Sequence, residues 1–486
     1  MTEALFAEFE AASYDNWVEA ARASLRGVAL ESLIARSYEG IDIQPLPHAG
    51  NERGAATIKK PGQYPSLRGT DYRARPWLIA NEIDIADPDD FNAALRDSLA
   101  NGQTAIVLRD SLQVESAPDM QRALAGIDLG RFPLFIRGDG RSPIIRYRLI
   151  QTLLRKDIFR ELTGCVGYDP LASLARTGVM RADAFERLAV IVEDAGKYAM
   201  QLGSISVDAT AYHDAGANAV QELAIALATG VEYLRASGAS GLNVSLVADK
   251  IHFQLGIGEN FFMEMAKFRA IKSLWAQVLR AYGLAHERQR LWLHARSSLR
   301  NKTRRDRHVN LLRLTSEALA AALGGVDSIC LPAFDAPLGA SDVFSRRLSR
   351  NLQLILQEEM QLARLIDPAG GAWHVESLTD QLARRAWASF QDIEAQGGLL
   401  ASLRTGAIQA DIEAVAERRR QDLASGESIL VGANAYVDEA ETPPKPQRPQ
   451  APDSGDVEDG IRIKPLQPLR LAEAFESPQP KAGAEA

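Results

Sequence analysis

Residues 204–223, SISVDATAYHDAGANAVQEL, carry the strongest chemical signal in the chain. Ser204, Ser206 and Asp208 alternate with Ile205 and Val207, which gives a strand one polar and one apolar face. A loop with His213 and Asp214 follows, and then a helix opening at Asn218. Two later segments repeat the alternation. His252 and Gln254 alternate with Ile251, Phe253 and Leu255, and Trp292, His294 and Arg296 alternate with Leu291, Leu293 and Ala295. If these polar sets share one side, that side is polar but crowded with large side chains. No residue is marked as catalytic; His213, His294 and Arg296 are the candidates for substrate contact. A lone interior histidine is also commonly one satisfied by its neighbours, and nothing here forms a triad.

Other chemistries lack their signatures. The seven histidines are scattered, with no zinc-type spacing and no CxxC. No metal site and no cofactor-binding residue is therefore assigned. GIGENF (256–261) follows a strand-like segment but lacks the third glycine of a dinucleotide loop. DPAGGAW (367–373) lacks the Lys-Ser/Thr ending of a phosphate loop and reads as a chain-reversing turn. The basic run 300–308, RNKTRRDRH, could pair with phosphates or an acidic partner, but it reads first as a solvated charged loop.

The elements that must position these residues have a repeating pattern. Short apolar runs at 77–79, 105–108, 132–136, 165–168, 204–207, 251–255, 291–293 and 328–331 alternate with amphipathic helical stretches such as 218–234, 261–281 and 309–323. Strand then helix, eight times over, predicts an α/β fold of the (βα)8 barrel class. Polar strand faces would then line the axis, with large side chains filling it. Residues 1–60 read as an N-terminal arm with a helix at 16–25. Residues 61–436 read as the barrel with its C-terminal helices, and 437–486 as a Pro-rich tail with one apolar island at 461–476. The island suits a docking segment.

Composition bounds the setting. The chain has 486 residues, 46% hydrophobic and 24% charged, with net charge −8, so nothing draws the whole molecule to nucleic acid. Only Cys165 and Cys330 occur, each in or beside an apolar segment, which predicts two reduced thiols and a cytoplasmic home. No run is long and apolar enough to predict a membrane span.

The blocks WVEAARASLRGVALESLIARSYEGIDIQPL, IGENFFMEMAKFRAIKSLWA, FSRRLSRNLQLILQEE, DPAGGAWHVESLTDQLARRAW and ILVGANAY carry a resemblance over about residues 15–436. The chain resembles the acyl-CoA mutases that use adenosylcobalamin, most closely the small, non-catalytic subunits of heterodimeric methylmalonyl-CoA mutases. Active chains of that family read Pro-Trp-Thr-Ile-Arg-Gln-Tyr at the first strand, where Pro76 to Glu82 stand here. The arginine falls on Ala80, and the tyrosine that stacks over substrate falls on Glu82. At the fifth strand the family reads Gly-Tyr-His-Met-Gln-Glu-Ala-Gly-Ala. Its catalytic histidine falls on Ala211, with His213 two places later. After the seventh strand His294 is kept, while the family's glutamine and glycine are lost. A serine that helps open the axial passage falls on His252. The Asp-x-His-x-x-Gly mark of the flavodoxin-like cobalamin domain does not occur, so that domain is expected to be absent.

The resemblance thus implies a barrel that has lost its proton donor, its substrate clamp and its channel. Adenosylcobalamin would reside in a homologous catalytic large subunit, which interconverts succinyl-CoA and (R)-methylmalonyl-CoA. This chain would pair with it as a heterodimer, the arm and tail clasping the partner. Two alternatives stand beside that reading: an active barrel subunit served by a separate cobalamin-binding chain, and an assembly factor that binds the mutase transiently.

Overall fold

The computed structural model describes residues 13–48, 60–69, 73–285, 289–339, 341–438, 440–441 and 459–476. Its centre is a sheet of eight parallel strands: β1 (Leu78–Ile79), β2 (Ile106–Leu108), β3 (Leu134–Ile136), β4 (Gly164–Tyr168), β5 (Leu202–Asp208), β6 (Ile251–Ile257), β7 (Trp292–Ser297) and β8 (Ser328–Cys330). They lie in the order β1-β8-β7-β6-β5-β4-β3-β2. The two end strands meet at a seam beside Thr104. Its N–H donates to Ile79 O (3.1 Å), and its Oγ1 accepts from Ile79 N–H (2.8 Å). All eight sequence-predicted strands are present, and the fold is the expected (βα)8 barrel.

Each strand is followed by a helix: α1 (Pro88–Ala100), α2 (Ala117–Ala123), α3 (Ser142–Leu153), α4 (Ala184–Tyr198), α5 (Ala219–Ala239), α6 (Phe261–Ala281), α7 (Val309–Leu323) and α8 (Val343–Leu354). Three more, α9 (Trp373–Ala395), α10 (Leu399–Thr405) and α11 (Ala407–Ser425), follow in the chain, and shorter helices such as Pro170–Thr177 and Val244–Asp249 lie between the strands. Asn218 and Asn260 cap α5 and α6 by accepting N–H bonds from the first turn. Both helices touch the barrel on one side and α9 on the other, so even their charged residues are buried. Arg269 of α6 reaches Asp367 (2.8 Å) and Glu376 (2.8 Å), which pins the DPAGGAW turn at the start of α9. Gly230 lets α5 approach α6 closely; a Cβ there would fall 2.7 Å from the Trp275 ring. Each buried Leu or Phe in this shell contributes about 1.5–3 kcal/mol.

The described part of the arm packs on the chain itself. A two-stranded hairpin pairs Ala35–Arg36 with Asp42–Ile43 and presents Tyr38 to α11. The Tyr38 hydroxyl donates to Asp422 (2.6 Å), and the Arg419 guanidinium lies 4.1 Å over its ring. The predicted arm helix forms at Tyr14–Ser24 and buries none of its residues. Residues 1–12 and 49–59 of the arm lie outside the described residues.

The apolar island of the tail does dock, on this chain's own barrel. Gly460–Arg462 pairs antiparallel with Val179–Arg181. Further on, Leu466 N–H donates to Ala175 O (2.8 Å), Leu469 N–H to Asp214 O (2.7 Å) and Leu471 N–H to Arg300 O (2.8 Å). Leu471 and Ala472 bury against Leu423, Leu430 and Ala433. The Pro-rich stretch 442–458 lies outside the described residues. Among the described residues no helix is long and apolar enough to cross a membrane.

Candidate functional site

The strand registers set the axial rows. On β7, Trp292, His294 and Arg296 face inward, partnered on β6 by His252, Gln254 and Gly256. On β8, Ser328 pairs with His294 and Cys330 with Arg296. An inner cluster of Leu78, Ala80, Ala105, Val107, Phe135, Cys165 and Trp292 supplies the rest. The predicted alternation on β5 holds for Ser206 and Asp208 and slips before them. Ser204 N–H and Ile205 N–H both reach Lys250 O, and the Cα–Cβ direction of Gly203 aims at the His252 ring, 2.7 Å from where a Cβ would sit. This register irregularity takes Ser204 out of the axial row.

The axis is filled by rings. Phe135 on β3 and Trp292 on β7 stand four strands apart in the eight-stranded order, on opposite walls, yet their centroids are 5.0 Å apart. His252 stacks on Trp292 at 4.5 Å. One layer up, the His294 Nδ1 bonds the Ser328 hydroxyl. Burial, reinforced by nearby cations, pushes the His252 pKa down to about 3 and that of His294 well below its ordinary value, so both rings are neutral. Burial likewise pushes the Cys165 and Cys330 thiols up to about 12, which leaves them inert.

Above the rings, ion pairs close the C-terminal mouth. Glu82, just beyond β1, meets Arg296 at 3.1 Å and Arg109, just beyond β2, at 3.0 Å. Burial pushes its carboxyl up, but Arg109, Arg296 and Arg137 outweigh that and hold it well below the usual carboxylate range. Arg296 also approaches Asp214 (3.7 Å). On the other side Asp208 pairs with Arg176 (2.9 Å) and accepts from Gln254 (2.9 Å). Arg176 continues to Asp139 (2.8 Å), and Arg137 lies over the Phe135 ring. Ala211 is buried in the short helix Thr210–Asp214 beside this mouth, and its methyl group has no proton to donate.

The three sequence candidates reach the C-terminal half of the axis in different roles. Arg296 is held by Glu82, and His294 by Ser328. His213 packs its ring where a Gly256 side chain would stand, in the layer of Arg296, and turns its Nδ1 to Glu222 (2.8 Å). Glu222 also accepts from Lys267 (2.6 Å) and from Gly256 N–H (2.6 Å). The His213 Nε2 is buried without a partner, and the ring is 1% exposed. Arg109, Arg137, Arg176 and the plug ring Phe135 were not picked out from sequence. Their signal was there: Arg109 and Arg137 each directly follow a strand, where barrel side chains converge.

The mouth does not fit a large corrin cofactor held on this chain. Its axial end is crossed by the Glu82–Arg296 and Asp208–Arg176 pairs. The loops after β5 and β7 are bonded at Asp214 and Arg300 by the tail backbone. No step is therefore derived through such a group on this chain.

A family model described as methylmalonyl-CoA mutase matches residues 36–112 and 109–471. The chain is 35% identical over 445 residues to a methylmalonyl-CoA mutase small subunit of Streptomyces virginiae, covering 89% of this chain and 71% of that protein. It is 32% identical over 465 residues to a small subunit of the same description from Porphyromonas gingivalis, with the same coverage of 89% and 71%. A methylmalonyl-CoA mutase of Escherichia coli is 30% identical over 444 residues, 85% of this chain and 62% of that one.

Proposed function

The chain belongs to the methylmalonyl-CoA mutase family, and we propose that it is a non-catalytic barrel subunit within it. A homologous large subunit would carry adenosylcobalamin and interconvert succinyl-CoA and (R)-methylmalonyl-CoA in the cytoplasm. The observation that carries the reading is the ring contact of Phe135 and Trp292 across the barrel. A pantetheine chain threading the axis would need the volume those rings and His252 fill. At the mouth, Glu82 is an anion bound to two arginines, so a substrate carboxylate meets charges already neutralised. The small-subunit relatives support the same reading.

The His213–Glu222 pair favours a second reading, an active barrel served by a separate cobalamin-binding chain. A carboxylate-oriented imidazole with a free Nε2 has the form of a general acid or base. Its burial and the filled axis weigh against it. One experiment separates the readings. The purified chain is mixed with adenosylcobalamin, a free cobalamin-binding subunit and an acyl-CoA, and then with a catalytic large subunit. The expected results are no isomerisation in the first mixture and a stable complex on size exclusion in the second. Turnover without a second barrel subunit overturns the proposal; a complex that falls apart on the column points to a transient assembly factor instead.

A further inference from the structure

The basic run after β7 is not a solvated loop. The buried Arg300 pairs with the more exposed Glu259 (3.2 Å), and Lys302 pairs with Glu317 (2.6 Å) in the interior. The next three residues turn their backbone N–H groups toward carboxylates. Arg304 N–H (2.5 Å) and Arg305 N–H (3.3 Å) donate to Glu476 Oε1, and Asp306 N–H donates to Glu441 Oε2. Asp306 is in the left-handed region at φ +46°, so the loop curls into a concave donor array of the type that binds anions. Arg470 adds its Nη1 to Glu476 Oε2 (2.5 Å). The Glu476 side chain is 3% exposed. Two further guanidinium donors of these residues, Arg305 Nε and Arg470 Nη2, are buried with no acceptor.

We propose that Arg304–Asp306, with Arg470, is a seat for a phosphate-class oxyanion and that Glu476 fills it as a tethered occupant. The donors outnumber the bonds that Glu476 makes. Its two oxygens take Arg304 N–H, Arg305 N–H and Arg470 Nη1, which leaves Arg305 Nε and Arg470 Nη2 unused; a phosphate offers more oxygens and a second charge. Occupation is linked to the tail. Glu476 anchors the Glu473–Glu476 turn, and the strand before it bonds Asp214 and Arg300 over the loops of β5 and β7. A free oxyanion that takes the seat therefore frees residues 469–476 from the C-terminal face, while the pairing of Gly460–Arg462 with Val179–Arg181 persists.

The test is hydrogen exchange on the full chain and on Glu476→Gln, read in segments 469–476 and 460–462, with inorganic phosphate and a phosphate monoester as probes. Expected is exchange at 469–476 accelerated about tenfold by Glu476→Gln, with 460–462 unchanged. Millimolar phosphate produces the same opening in the native chain, and calorimetry shows it binding Glu476→Gln about tenfold more tightly, since the tethered competitor is gone. Opening by the monoester alone identifies a phosphate group on a larger molecule as the source; opening by both identifies free phosphate. Arg470→Gln loses phosphate binding, and this variant serves if Glu476→Gln does not fold. Phosphate without effect beyond that of chloride at equal ionic strength, or a Glu476→Gln chain that binds none, overturns the proposal.

Discussion

Glu82 and Arg296 face each other across the C-terminal mouth at 3.1 Å, joining the ends of β1 and β7 two positions apart in the barrel order. Arg109 binds the same carboxylate, so two cations share one anion, with Asp84 (2.9 Å from Arg109) and Asp214 (3.7 Å from Arg296) completing the charge balance. Glu82→Gln leaves Arg109 with only Asp84 and Arg296 with only the more distant Asp214, and is expected to cost about 3 kcal/mol at neutral pH, measured by urea unfolding. The sign of its pH dependence follows from the depressed carboxyl. The stabilisation is present above the ordinary glutamate pKa of 4.5 and is lost as pH falls below it. The gap between native chain and variant should narrow steadily below about pH 5.

The axial rings predict a change in binding. Trp292→Ala should cost about 3–5 kcal/mol for the cavity it leaves. Combined with His252→Ser it removes the stacked pair from the path. Calorimetry should show no acyl-CoA binding to the native chain and measurable binding to the double variant. An equally silent double variant would mean that the rings are not the obstruction.

Restoring the family's side chains at two positions should not restore chemistry. Ala211→His with Glu82→Tyr returns a donor and a stacking ring, but the passage beneath stays closed. Isomerisation followed by chromatography of the CoA esters is expected to remain at background without the large subunit.

Buried and exposed ion pairs should differ sharply. Lys267 is completely buried between Glu222 and Glu264, at 2.6 Å from each. Lys267→Met takes the shared cation from both acids, leaving Glu222 only His213 and the Gly256 N–H, and is expected to cost about 3–5 kcal/mol. Arg384→Met breaks a pair with Asp380 whose side chains are 69% and 48% exposed, and should change stability by less than about 1 kcal/mol. Denaturant midpoints of the two variants give the comparison.

The barrel was legible because eight apolar runs and the helices between them state its period directly. Predicted bounds of 261–281 and 309–323 match α6 and α7, whose ends are set by local capping and turns. The inward rows of β6 and β7 followed from alternation alone. Alternation failed at Ser204, since a bulge depends on how β5 meets its neighbours β4 and β6 and not on β5 itself. The mouth was half legible. Glu82, Ala211, His213, His294 and Arg296 were named, yet their partners come from elements far apart in sequence, and pattern in one segment does not report which arginine reaches which acid. The basic run reads as a solvated loop from its charge alone, and only the fold shows it bonded to Glu259, Glu317 and Glu476.

Tyr38 and Asp422 touch although 384 residues separate them, and the segment ending at Glu476 bonds loops at Asp214 and Arg300. Such distant partners raise the mean sequence separation of the contacts, which slows folding. On the ribosome, the hairpin at the front of the chain must wait through synthesis of the whole barrel before α11 exists to receive it. The C-terminal face is sealed later still. Until then the apolar seat made by Leu423, Leu430 and Ala433 is open to solvent, the kind of surface through which incompletely folded chains associate.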